Sequence, residues 1–464
     1  MRHALYYLRA LQRLDALYGQ EPARALSLFD QEFEQIQQGQ GWARTGNTES
    51  QWQLCSSYAI SCVHIFAIRL HPQQRIDWLQ VGLNTANQLQ DYTAFCTHLN
   101  HLGSAFSDIG EIDRAIEIYE RALRLARQHN LRQLEGALLT NIGNTRSLRG
   151  NYRDAIVYYE RALPILLEGQ DQRGTVTLLA NLAFSYFSVH QRGKAFDTIE
   201  EALRLSQDIN FLEGKSACLI KLGQFSLQEG NLINAQNYFQ QSLQISQQLG
   251  SARQQGEDLS NLGAVSEAMG DVDNALGLYR QALQLSQQAG DLPSEGRILG
   301  NMGNAYERIG KHREALENYQ KSIVVHRKIG DIGGECIGLG NVGNLYYSLG
   351  QFEEAMSWYQ KALVLSEELD NKWRMADQYG NMGNVYSRMS QRRVAIQNYE
   401  RSLEISQKIR YKKGEASALA NLGWTYSELE QIDIAKQYLL EALPILQDAS
   451  PPDAEEIKKW LASH

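Results

Sequence analysis

Between Asp291 and Gly330, apolar residues fall at helical spacing twice. Leu299, Met302, Ala305 and Ile309 mark one face of a first helix, and Ala315, Leu316, Tyr319, Ile323 and Val324 mark a second. Gly310 separates them at a place suited to a left-handed C-cap, and Gly330-Asp331 turns the chain onward. The pattern then recurs with a period of 40 residues. Asparagine stands at Asn141, Asn181, Asn261, Asn301, Asn341, Asn381 and Asn421, and only Lys221 breaks the run. Two positions later comes glycine (Gly143, Gly223, Gly263, Gly303, Gly343, Gly383, Gly423), with Ala183 the exception. Twelve further on is alanine, without exception from Ala115 to Ala435. Between the helices stand Gly110, Gly150, Gly230, Gly270, Gly310 and Gly350, replaced elsewhere by His190, Ser390 and Glu430. So strict a phase predicts one helix-turn-helix unit stacked many times, each burying its apolar face on its neighbours. No alternating apolar run or hairpin dipeptide interrupts it, so the fold class is all-α.

The ends depart from this phase. A first helix is expected over residues 2–18, ending at Gly19, and a second from Pro22 with Leu26, Phe29, Phe33 and Ile36 on one face. Ser50 to Gln90 reads as one divergent unit in which Leu54 to Ile68 form a buried helix, too short to span a bilayer. Pro164 and Pro444 share one phase within a helical pattern, where a kink or early helix end is expected. Pro451-Pro452 stops the array; Asp453 then N-caps a last helix, with Glu456 completing a capping box. Ala454, Ile457, Trp460 and Leu461 would face inward and cover the open end, so the array is expected to close there. The expected organisation is a helical cap over 1–48, a divergent unit over 49–90, nine units over 91–449 and a capping helix over 450–464.

Composition narrows the function. The 464-residue chain carries a net charge of −8, which argues against a general nucleic-acid binder. Its five cysteines (Cys55, Cys62, Cys96, Cys218, Cys336) form no CxxC pair, fitting buried thiols of a reducing, cytoplasmic compartment. The N-terminus lacks the uninterrupted apolar stretch of a signal peptide. There is no GxxxxGK[ST] loop, no HExxH and no Cys/His set with zinc spacing; His98 and His101 near Cys96 read as repeat-interface residues. The expectation is no enzyme activity, no cofactor, no metal and no membrane or nucleic-acid partner.

Within each unit a large apolar residue, an apolar-Gly pair, an aromatic, an alanine, a second aromatic and a small residue keep fixed order. Leu299, Met302-Gly303, Tyr306, Ala315, Tyr319 and Ser322 form one set; Leu339, Val342-Gly343, Tyr346, Ala355, Tyr359 and Ala362 form the next. This resembles the tetratricopeptide repeat (TPR), in the 40-residue form similar to the arms of LGN/Pins adaptors and kinesin light chains. The resemblance implies a right-handed superhelix of about ten units whose first helices line a concave surface. The N-terminal stretch Ala25-Leu26-Ser27-Leu28-Phe29-Asp30, with Gly39-Gln40-Gly41-Trp42, is similar to the segment joining core and TPR arm in bacterial STAND-type NTPases.

On that first-helix face, Asn301 pairs with Asn304, Asn341 with Asn344, Asn381 with Asn384 and Asn141 with Asn144, three residues apart. Arg297, Arg308 and Arg388 extend the stripe; Phe184 and Trp424 replace asparagine in it. Neighbouring helices lie ~8–10 Å apart and an extended chain advances ~3.3–3.6 Å per residue, so each ladder asparagine meets about every third residue of an extended peptide. An amide both donates to a carbonyl and accepts from an N–H. The leading expectation is a non-catalytic protein-interaction scaffold gripping an extended, somewhat acidic peptide through Asn141, Asn144, Asn181, Asn261, Asn301, Asn304, Asn341, Asn344, Asn381, Asn384 and Asn421 with the three arginines. Two alternatives stand beside it: the sensor arm of a STAND-type signalling system, and a scaffold that self-associates through repeat edges.

Overall fold

The computed structural model describes residues 1–18, 21–109, 111–409 and 411–464, so the expected turn residues Gly19 and Gly110 lie outside the described residues. It contains helices and no strand among the described residues. The N-terminal region comprises α1 (Arg2–Tyr18), α2 (Pro22–Arg44), α3 (Glu49–Ile60), α4 (Val63–Arg69) and α5 (Pro72–Gln88). Regular pairs follow: α6 (Tyr92–Asp108) with α7 (Ile112–Gln128), α8 (Arg132–Leu148) with α9 (Tyr152–Glu168), and α10 (Gln172–Ser188) with α11 (Arg192–Asp208). Then come α12 (Leu212–Gln228) with α13 (Leu232–Gln248), and α14 (Ala252–Ala268) with α15 (Val272–Ala289). These fifteen helices form one compact unit, Met1–Ala289. The second unit, Gly290–His464, holds α16 (Leu292–Arg308) with α17 (His312–Ile329) and α18 (Ile332–Ser348) with α19 (Phe352–Glu368). Its remaining pairs are α20 (Lys372–Arg388) with α21 (Arg392–Lys408) and α22 (Lys412–Glu428) with α23 (Ile432–Ala449), followed by α24 (Pro451–Ser463).

The invariant alanines explain the close helix pairing: all nine, from Ala115 to Ala435, are fully buried. The repeated glycine has a more specific cause. A Cβ added at Gly343 would stand 2.6 Å from Cε1 of Tyr359, and the same ring contact recurs at Gly143 with Tyr159 and Gly263 with Tyr279. In these pairs the second helix therefore lays an aromatic ring directly on the first helix's backbone, whereas Gly423 faces Leu439. Where Ala183 replaces glycine, the facing residue is the non-aromatic Ile199.

Left-handed residues end the first helices as expected, with φ of 71° at Gly310 and 73° at Gly350, and His190, Ser390 and Glu430 adopt the same conformation at 61–62°. Four expectations are corrected. The helix expected over Leu54 to Ile68 breaks at Ser61–Cys62; Ser61 Oγ donates back to the Ser57 carbonyl at 2.5 Å, a bond that bends helices. Cys62 accordingly precedes α4 instead of continuing the helix that carries Cys55. The early end expected at Pro164 and Pro444 does not occur: both helices run on past the proline, and both prolines are exposed. The last helix begins at Pro451 with Ser450 at the N-cap, and Asp453 sits inside it, accepting from Ser450 Oγ at 2.6 Å. Ala454 and Ile457 are buried against Leu439 and Leu446, with Trp460 and Leu461 packed alongside. Val324, expected on a core face, is exposed.

Candidate functional site

In the second unit the first helices α18, α20 and α22 and the terminal helix α24 enclose a cavity of about 650 Å³. Asn341, Asn344, Asn381, Asn384 and Asn421 line it, above small residues at Gly340, Gly380 and Ala420. Asn301, Asn304, Arg297, Arg308 and Arg388 do not line it. Arg297 and Arg308 each have an interaction partner within the protein.

The two members of each asparagine pair have different work. In the second positions, Asn304, Asn344 and Asn384 accept through Oδ1 from the hydroxyls of Tyr319, Tyr359 and Tyr399 at 2.7, 2.7 and 2.8 Å. These oxygens fasten the second helix to the first. Asn421 donates to Asn384 Oδ1 at 3.1 Å, tying neighbouring repeats. Asn341 and Asn381 make no side-chain hydrogen bond among the described residues, although both line the cavity.

In the first unit the ladder is largely closed on itself. Asn141 donates to Asn100 at 2.8 Å, Asn181 donates to Asn144 at 3.0 Å, and Asn144 also accepts from Tyr159 at 2.7 Å. Asn261 Nδ2 is buried without a partner. At the phase where asparagine is missing, Lys221 lies with Nζ 4.4 Å from the Phe184 ring centre. Burial lowers its pKa, opposed by the charge of Glu257.

Sequence reasoning missed one side of the cavity, made by Trp373, Arg374, Asp377 and Gln378 on α20 together with Tyr411 and Lys413. The signal was available one and two turns before Asn381, on the same helical face. Burial pushes the Asp377 carboxyl above its usual range, opposed by a hydrogen bond from Tyr411 and by the charges of Lys413 and Arg374. Trp373 and Tyr411 meet edge to face with centroids 5.5 Å apart. Asp453, Glu456 and Ile457 of α24 form the opposite wall. Trp424 packs edge-on against Trp460 of that helix, at 6.0 Å between centroids. Two buried atoms here have no hydrogen-bond partner: Gln378 Oε1 and Arg374 Nε. Such a buried, unsatisfied group costs ~1–3 kcal/mol. No group of His, Cys, Asp and Glu among the described residues could hold a metal, and none of the described helices is long and apolar enough to cross a membrane.

Paired helices in fixed phase, with a polar cavity on the first-helix face, define a helical repeat protein. The chain belongs to the tetratricopeptide repeat family, whose model matches residues 93–168, 135–208, 257–328, 334–408 and 374–448. Proteins of this family typically act as interaction scaffolds. Among curated proteins, 155 residues are 26% identical to outer dynein arm-docking complex subunit 4 of Danio rerio, covering 33% of this chain and 30% of that protein. Over 104 residues the chain is 31% identical to the transcriptional activator NprA of Geobacillus stearothermophilus, covering 22% of this chain and 25% of that protein. The chain thus spans less than a third of the length of these relatives. Among solved structures, a Rap protein complexed with competence and sporulation factor aligns with a TM-score of 0.53 at 15% identity, over 78% of this chain and 99% of that one. A STAND ATPase with a tetratricopeptide repeat sensor from Pyrococcus horikoshii aligns with a TM-score of 0.42 at 15% identity, over 83% and 55%. The Rap alignment agrees with the fold.

Proposed function

We propose that this protein is a non-catalytic interaction module whose second unit binds an extended protein segment along α18, α20 and α22. One observation carries the reading: Asn341 and Asn381 line a cavity of about 650 Å³ while making no side-chain hydrogen bond among the described residues. Their amides can serve a peptide's N–H and C=O alike. Asn344 and Asn384 support the site by holding tyrosines, with their oxygens already engaged. The cavity wall carries Arg374 and Lys413 beside Asp377, Asp453 and Glu456, so its charge suits a segment bearing both signs better than a purely acidic one.

The test begins with displayed random peptides of about eight to twelve residues, long enough to cross three or four helices. Peptides selected on the full chain are then measured against Asn341→Ala/Asn381→Ala. Binding weakens at least about tenfold, equivalent to ~1.4 kcal/mol, while helical content and melting stay unchanged. Equal binding by the folded double variant removes the groove as the site.

A further inference from the structure

Arg374 and Gln378 stand four residues apart on one face of α20, and both line the cavity. Gln378 is 7% exposed. Its Nε2 lies 3.6 Å from where a Cβ on Gly340 would stand, so the side chain reaches from α20 across to α18. The Arg374 guanidinium sits 5.6 Å from the Trp373 ring centre. Arg374 Nε is a donor without an acceptor, and Gln378 Oε1 is an acceptor without a donor. One turn apart, the two could satisfy each other, yet they do not bond.

The chemistry of a third group that would satisfy both is narrow. A carboxylate could accept from Arg374 but has nothing to donate to Gln378. An ammonium could donate to Gln378 but would leave Arg374 unmatched. A hydroxyl offers both functions at a single atom, whereas an amide carries them on separate atoms held in one rigid plane. We propose that Arg374 and Gln378 form an amide-anchoring subsite: Arg374 Nε–H donates to the ligand amide's carbonyl oxygen, and Gln378 Oε1 accepts its N–H. Both atoms are buried, on side chains that line the cavity. The terminal torsion of Gln378 is broad, so its oxygen turns toward a ligand without backbone movement. The inference rests on the reading of this cavity as a ligand groove, and it adds that one amide of the occupant is held at a fixed place. That amide comes from the peptide backbone or from an Asn or Gln side chain.

The test uses the full chain with nitrogen-15 labelling, following the Arg374 Nε–H resonance, which is assigned by its loss in Arg374→Lys. The probes are N-methylacetamide for a peptide bond, acetamide for a side-chain carboxamide, and acetate and methylammonium as charged controls. An amide probe shifts the resonance saturably, and its half-saturation concentration rises at least about tenfold in Gln378→Leu. In Gln378→Glu the new carboxylate pairs with Arg374 at the same one-turn spacing, and the amide response disappears. The stronger of the two amide probes identifies the source. No saturable shift, an equal shift with acetate, or a response unchanged in both Gln378 variants overturns the subsite. If the probes fail while selected peptides still depend on Asn341 and Asn381, the subsite falls and the groove stands. If the probes succeed while no peptide depends on those asparagines, the groove reading falls and the amide site remains.

Discussion

In four second helices one tyrosine (Tyr159, Tyr319, Tyr359 or Tyr399) does two jobs: its ring covers a glycine and its hydroxyl engages an asparagine. Gly343→Ala would place a methyl 2.6 Å from the Tyr359 ring, and overpacking of this kind costs ~1–3 kcal/mol. Tyr359→Phe removes only the bond to Asn344 at 2.7 Å, a loss of ~0.5–1.5 kcal/mol. Chemical denaturation of the two variants should therefore rank glycine replacement as the costlier change; the reverse order would place the hydroxyl above the packing. The asparagine–tyrosine coupling was present in the sequence. Asn144, Asn304, Asn344 and Asn384 each precede a tyrosine by 15 positions, whereas Gln224 precedes Phe239 and Trp424 precedes Leu439. A stripe read on one helix conceals this, because the tyrosine arrives from the next helix. Asp258 supplies a separate test. It is fully buried, accepts from Ser242 and Ser246 at 2.7 Å each, and has its carboxyl pushed up by burial to about 6 from 3.8. A folded-state pKa above the unfolded one means the group's contribution is complete below about pH 4 and is lost as pH rises to about 6. Asp258→Asn should remove that trend, so the variant's Tm minus that of the parent becomes more positive between pH 4 and pH 7. A difference flat with pH would contradict it.

At the scale of the element, left-handed turns and terminal caps set each helix length. Ala-to-aromatic spacing and turn glycines made helix type and phase legible from Tyr92 onward. The divergent α3–α4 region was less so, because its break at Ser61 carries neither glycine nor proline. Glu430 holds φ at 61°, a conformation costing a side-chain-bearing residue ~1–2 kcal/mol. Glycine there also loses more chain entropy on folding, so Glu430→Gly should raise stability by a net ~0.5–1 kcal/mol, read as a higher denaturation midpoint. A lowered midpoint would show that the glutamate side chain makes a stabilising contribution that outweighs its backbone strain. The terminal helix buries Ala454 and Ile457 on Leu439 and Leu446. Deleting 451–464 would expose that face, and the shortened chain should melt lower or aggregate. An unchanged, monomeric truncation would deny α24 its covering role. The sequence indicated this helix through its apolar face, but its start was misplaced because Ser450 and Pro451 supply the cap and first turn.

At the scale of the whole molecule, the ladder asparagines fall into two sets. Some bond across repeats, as Asn141 does to Asn100, Asn181 to Asn144 and, in the second unit, Asn421 to Asn384. Asn341 and Asn381 make no such bond among the described residues and line the cavity. Identical residues at identical phase thus differ in what surrounds them, which no reading of the repeat consensus distinguishes. The expected arginine stripe shows the same limit: Arg308 and Arg388 share one repeat phase and Arg297 lies one turn before Asn301, yet none of them lines the cavity, whereas Arg374 does. The most direct measurement is calorimetric titration of one selected peptide into three proteins: the parent, Asn341→Ala/Asn381→Ala, and Asn141→Ala/Asn181→Ala. A groove in the second unit predicts at least about tenfold weaker binding, ~1.4 kcal/mol, in the first double variant, with parental affinity in the other. Parental affinity in the Asn341/Asn381 variant, or an equal loss in both, would contradict it.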